Sequence, residues 1–189
     1  MTSFRREGNG VVVAFDEVEA SLLRHLVGEV SALLEPEDGP AESADAEVPD
    51  PADPLAELAE LAELDAAAPD PPTDPVVARL LPDGYRDDPE SAGEFRRLTE
   101  PALRQQKRRN AARLLADLPG EGGGEVRLDP ETTECWLTTL NDVRLALGTR
   151  LDLTEDMPEP DQDDPDAPAY VVYVWLTQLQ DVLVQVALE

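Results

Sequence analysis

Apolar residues along this chain form one short opening block and several longer helical stretches, separated by runs that are almost wholly polar. The block FRREGNGVVVAF at 4–15 predicts a hairpin. Gly8, Asn9 and Gly10 are residues able to adopt positive φ, and Val11, Val12 and Val13 favour a strand. Asp16 with Glu19 three positions on is a capping-box pair at the start of a helix. Val18, Leu22, Leu26, Val30 and Leu33 then recur at helical spacing, and Pro36 closes the segment. His25 lies at the rim of that stripe, where a half-buried structural histidine is expected.

Further on, PLAELAELAELD at 54–65 repeats leucine every third residue. That period winds around an α-helix by about 60° per step, so a short helix docking loosely on the body is expected. The stretch from Asp74 to Gly120 predicts three helical pieces. The first ends before Pro82; the second runs from about Asp88 to Arg97. The third is capped by Thr99, carries Pro101 in its first turn and continues to Leu118. Glycines in GEGGG at 120–124 end it, with Gly120 in the C-cap position. VRL at 126–128 is a brief strand, and Asp129 caps a helix whose stripe is Trp136, Leu137, Leu140, Val143 and Leu147, ending near Gly148. Residues 167–188 form a last helix, apolar on most of its circumference. Such a helix is buried on several sides or supplies a subunit interface; it is expected to be the central core helix, with a homodimer contact as its second use.

Charge changes this picture by separating body from connectors. The formal net charge is -27, and residues 35–74 and 152–166 carry -22 of it with no Lys or Arg, leaving -5 for the remainder. Both stretches contain prolines and should stay extended through self-repulsion. The expected fold is therefore mainly α, a single helical domain over 1–189 with a small N-terminal β-hairpin. Two acidic disordered linkers interrupt it, 35–74 with its short Leu-rich helix and 152–166. The start of the chain lacks the apolar run of a signal peptide, and no apolar run approaches the ~20 residues of a bilayer span. A soluble, cytoplasmic protein is expected.

The inventory of reactive groups is short. One cysteine, Cys135, and one histidine, His25, leave no internal disulfide and no His- or Cys-based metal site. Neither a phosphate loop nor a nucleophile elbow is present, so no catalytic residue, metal or cofactor is expected. The strongest local signal is basic. Arg96, Arg97, Arg104, Lys107, Arg108, Arg109 and Arg113 face a single acid, Glu100, between positions 96 and 113. This cluster either pairs with the chain's own acids or docks an acidic partner or phosphates. Direct DNA contact is the weaker version, since the acidic linkers repel a duplex and no recognition-helix signature stands out. Cys135 is expected to be a buried packing residue, with redox chemistry as its alternative role.

The blocks ARLLPDGYRDDPESAGEFRRLTEPALR, WLTTLNDVRLALGTRL and YVVYVWLTQLQDVL, set between acidic linkers, resemble an actinobacterial family catalogued as domain of unknown function twenty-seventeen. The resemblance runs from FRREGNGVVVAFDEVEASLLRHLVGEV onward over nearly the whole chain. It implies a small cytoplasmic protein encoded beside the Clp adaptor ClpS, some members being named AosR as actinobacterial oxidative-stress regulators. A non-enzymatic role in transcription control is thereby implied, through a partner such as a sigma factor or RNA polymerase, with Clp components as the alternative. With one cysteine, any redox sensing at Cys135 has to pass through a sulfenic acid, a mixed disulfide or an inter-subunit bridge.

Overall fold

Gly8 takes φ +65° and turns the opening strand β1 (Ser3–Glu7) back into β2 (Gly10–Phe15) as an antiparallel pair. A computed structural model describes residues 2–35, 70–85, 87–120, 122–154, 160–161 and 163–188. In it the hairpin gains a third member: β3 (Gly124–Leu128) pairs antiparallel with the other edge of β2, giving the order β1-β2-β3. The expected hairpin is thus two-thirds of a sheet closed across more than a hundred residues.

One face of the sheet sends Val11, Val13, Phe15, Val126 and Leu128 into the core. Val12 points the other way and is still only 2% exposed. Its register neighbours are Arg5 on β1 and Arg127 on β3. Arg5 Nη1 reaches Glu125 Oε1 at 2.6 Å and Arg127 Nε reaches Glu7 Oε1 at 3.7 Å, so both ion pairs cross above β2. As exposed pairs they are worth little electrostatically; their aliphatic stems roof Val12.

Helix α1 (Glu17–Leu33) begins with the anticipated capping box: Glu19 N–H donates to Asp16 Oδ1 at 2.9 Å, and Asp16 N–H donates to Glu19 Oε2 at 3.0 Å. Its buried stripe differs from the expected one. Ala20, Leu23, Val27, Val30 and Leu34 are buried, Leu26 and Leu33 flank them, and Val18 is 75% exposed. Repeated steps of four drift around a helix by about 40° each, whereas alternating steps of three and four hold one face. His25 is exposed, not half-buried. Pro36, the Leu-rich segment at 54–65 and most of the 35–74 linker lie outside the described residues.

Helix α2 (Pro75–Leu80) ends before Pro82 as expected and buries Val76, Val77 and Leu80. The next two expected helices are one: α3 (Pro89–Asp117) runs for 29 residues straight through Pro101. Thr99 does not cap it; its hydroxyl donates to the Phe95 carbonyl at 2.8 Å, a bond internal to the helix. Pro101 removes one backbone donor, and flanking turns carry the helix past it. The end also differs from expectation. Leu118 takes extended backbone (ψ 137°) ahead of Pro119, as a residue before proline prefers, so Gly120 is no cap.

Helix α4 (Pro130–Arg150), capped by Asp129, runs beyond Gly148, which lies inside it. This helix, not the last one, is the centre: α1, α2, α3, the sheet and α5 (Ala167–Leu188) all pack on it. Trp136 is 1% exposed, stacks on Phe15 with ring centroids 5.9 Å apart, and donates its indole N–H to Asp117 Oδ2 at 3.0 Å. By contrast α5 buries only Leu176, Leu179 and Leu183 and lies outside, so the expected central helix is peripheral.

The turn into β3 gives a stability test. Gly122 and Gly123 hold φ +94° and +76°, where an L-residue costs roughly 1–2 kcal/mol. A Cβ on Gly123 would also lie 2.5 Å from the Phe15 carbonyl oxygen, whereas one on Gly122 meets open space. Urea denaturation should show Gly122→Ala losing about 1–2 kcal/mol and Gly123→Ala losing distinctly more; equal losses would contradict the close approach.

Candidate functional site

Helix α3 carries the whole basic cluster, and its placement beside α4 divides that cluster by face. Arg96, 7% exposed, forms an ion pair with Asp83 in the α2–α3 connection. Arg104 reaches Glu100 Oε1, one turn earlier, at 2.7 Å. Lys107 Nζ lies 2.6 Å from Asp142 Oδ1 on α4, with side chains 13% and 6% exposed. Arg113 reaches Glu131 Oε1 at 2.8 Å and Thr132 Oγ1 at 2.8 Å near the start of α4. Four of the seven cations are therefore engaged by the chain's own acids.

Arg97 has contacts of its own, whereas Arg108 and Arg109 stand differently. Arg97 is half-buried on the flank of the helix. Arg108 is half-buried and meets no acidic group among the described residues. Arg109 is exposed and donates only to the Gln106 amide oxygen, at 2.9 Å. Arg6, Arg24 and Arg144 likewise donate to carbonyl or amide oxygens and not to a carboxylate.

Beside them runs a feature that the sequence reading missed. Positions 95, 98, 102, 105, 109, 112 and 116 are all exposed and alternate in steps of three and four, so they hold one outward stripe about 30 Å long. Its N-terminal half is apolar: Phe95 is 36% and Leu98 62% exposed, followed by Ala102. Tyr85, 53% exposed, sets its ring edge-on against Phe95 at 6.0 Å, over Gly84, where a Cβ would meet the Phe95 ring at 3.0 Å. The C-terminal half carries Gln105 and Arg109, then Ala112 and Ala116. The signal lay in the spacing, but it spans Pro101, and the expected helix break there concealed it.

Between α3 and α4 lies an open groove of about 400 Å³, lined by Gln106, Arg109, Asn110, Arg113, Glu134 and Cys135 among others. Cys135 is buried and donates its thiol to the Asn110 carbonyl at 3.4 Å. Burial pushes its pKa up; the Arg113 charge pulls it down, and Asp117 adds to the rise. A thiol held protonated in this way is a weak nucleophile.

The Lys107–Asp142 pair fastens α3 to the central helix and is testable. Burial pushes the Asp142 carboxyl above its usual value, with Lys107 opposing the shift. Removing one member of a buried pair strands the other, at a cost of about 3–5 kcal/mol. Lys107→Met should lose about that much in urea denaturation, and Lys107→Met/Asp142→Leu should regain most of it. Because the folded-state value of Asp142 is raised, its carboxyl favours folding when protonated and opposes it once pH rises through that value. The Lys107→Met deficit should accordingly shrink as pH falls toward the ordinary Asp value of 3.8.

Comparison with known proteins adds two findings. The family model described as "Domain of unknown function (DUF2017)" matches residues 1–187. The "Oxidative stress regulator AosR" of Mycobacterium tuberculosis (strain H37Rv) is 34% identical over 182 residues, covering 89% of this chain and 78% of that protein. The protein of the same name from Mycobacterium bovis gives the same figures. The "Putative oxidative stress regulator AosR" of Mycobacterium leprae is 34% identical over 88% of this chain and 77% of its own length. No solved structure matches.

Proposed function

This chain belongs to the DUF2017 family, and from that footing we propose that it is a non-enzymatic regulatory protein of the oxidative-stress response, acting in transcription control through a protein partner. The names of its mycobacterial relatives support the stress role. The observation that carries a partner-based mechanism is the outward stripe of α3. Exposed Phe95 and Leu98 are followed along one helix face by Arg109, with Arg108 beside them, in a chain of net charge -27. Apolar anchors rimmed by unneutralised cations fit an acidic protein surface that itself presents apolar side chains. A sigma factor or an RNA polymerase subunit of that character is the partner proposed.

In this reading Arg96, Arg104, Lys107 and Arg113 shape the helix that presents the contact, while Arg108 and Arg109 make it. Cys135 packs and does not sense: it is the single cysteine of the chain, and burial works against its thiolate.

Binding of the full-length protein to each purified sigma factor and to core RNA polymerase of the source organism tests this, with ClpS and a DNA duplex as competitors. One transcription component should bind, more weakly as salt rises. Arg108→Glu/Arg109→Glu and Leu98→Asp should each weaken it at least tenfold, about 1.4 kcal/mol, with the circular dichroism spectrum unchanged. Cys135→Ala should bind as wild type before and after peroxide. Binding to ClpS alone would move the role to Clp-linked proteolysis, and binding to the duplex alone would make the protein a direct DNA-binding regulator. A peroxide response lost in Cys135→Ala would return the sensor role to that residue.

A further inference from the structure

The last helix, α5, presents a second and quite different surface. Among its 22 residues there is one charge, Asp181, in a chain that is 30% charged. Its inner side packs on α4 and the sheet through Leu176, Leu179 and Leu183, and Arg6 Nη1 donates to the Val186 carbonyl at 3.3 Å. The opposite side carries half-buried Tyr170, Val174 and Thr177 and exposed Asp181, Val184 and Leu188, again in steps of three and four, with exposed Val171, Gln178 and Gln185 beside them. Val171 is 65%, Val184 37% and Leu188 83% exposed. Two of its six valines, Val171 and Val184, are exposed, and valine is a β-branched type that lowers helix propensity. At those two outward positions it serves neither helix stability nor solubility.

We propose that this face is the contact between two copies of the chain, its helices antiparallel about a two-fold axis near Leu179. Charge selects the occupant. A two-fold contact brings each surface against itself, so two copies of net charge -27 repel, -22 of it from residues 35–74 and 152–166, and a charged contact face would add like-charge pairs to that repulsion. The outer side of α5 adds little, with Asp181 its one charge. The antiparallel arrangement follows from the spacing of the stripe: Tyr170 meets Leu188, Val174 meets Val184, and Thr177 meets Asp181. It keeps the two Asp181 side chains about 6 Å apart along the axis, whereas parallel helices would set them side by side. A lipid surface fits less well, because the described approach to α5 carries Asp163, Asp164 and Asp166, and anionic membranes select basic flanks. The dimer does not depend on the partner proposed for α3.

Sedimentation equilibrium of the full-length protein decides it. The expected result is a dimer that tightens as salt is raised, because salt screens the like charges and leaves the apolar contact. Val174→Glu/Val184→Glu should be monomeric, and so should Val171→Glu/Leu188→Glu, whose side chains are too exposed to disturb folding. In a Cys135→Ala background, Val174→Cys/Val184→Cys should cross-link into covalent dimers on oxidation, and Val174→Cys alone should not. A monomeric wild type at every concentration, a dimer unaffected by both glutamate pairs, or flotation of the wild type with phosphatidylcholine–phosphatidylglycerol vesicles would each overturn the proposal.

Discussion

The structure depends on covering Trp136 completely while giving its indole N–H a partner. Burying an aromatic side chain of this size is worth about 3 kcal/mol, and the cover comes from three directions. Phe15 on β2 stacks on one side, the end of α3 supplies Asp117 at 3.0 Å, and α4 itself carries the ring. That single side chain therefore ties the sheet, the long helix and the central helix together. The return of α3 past α4 at this point also sets which of its faces looks inward.

The division of the basic cluster follows from that geometry. With α3 held against α4, Lys107 lies over Asp142 and Arg113 over Glu131, while Arg104 and Arg96 find acids within α3 or just before it. Cations on the inner side and its edges hold the helix, and what remains outward is a stripe with Phe95 and Leu98 in its first half and Arg109, flanked by Arg108, in its second. The concentration of positive charge in so acidic a chain thus forms an internal lock, and the proposed function gives the remaining cations a second use in meeting acid. On the far side of α4, α5 offers a surface of opposite character, nearly uncharged and rich in valine. One central helix thereby separates the face proposed to meet an acidic partner from the face proposed to meet a second copy.

Legibility in the sequence followed the range of the interaction. Asp16 with Glu19, and Asp129 with Thr132, were readable because each bond closes within three residues. The hairpin and the end of α2 before Pro82 were readable for the same reason. The central position of α4 was not, because Thr133, Thr139 and Asp142 look polar in sequence while their partners lie one turn back or on α3. Conversely α5 looks central in sequence because it is so apolar, although only Leu176, Leu179 and Leu183 are fully buried, with Val172, Trp175 and Val186 half-buried against the core. In the candidate site the cluster itself was visible from charge. Its division was hidden, since Asp83 and Asp142 are 13 and 35 positions from the cations they meet. Reading Pro101 as a helix start also cut the outward stripe in two.

The most direct test is site-specific photocrosslinking in cells of the source organism under peroxide. A photoreactive residue placed at Leu98, Gln105 or Ala112 on the outer stripe would be compared with one at Val18, equally exposed but on α1. Adducts to one transcription component from the three α3 positions, and none from Val18, are the expected outcome. Adducts from Val18 with none from α3 would contradict the assignment of that face as the contact surface.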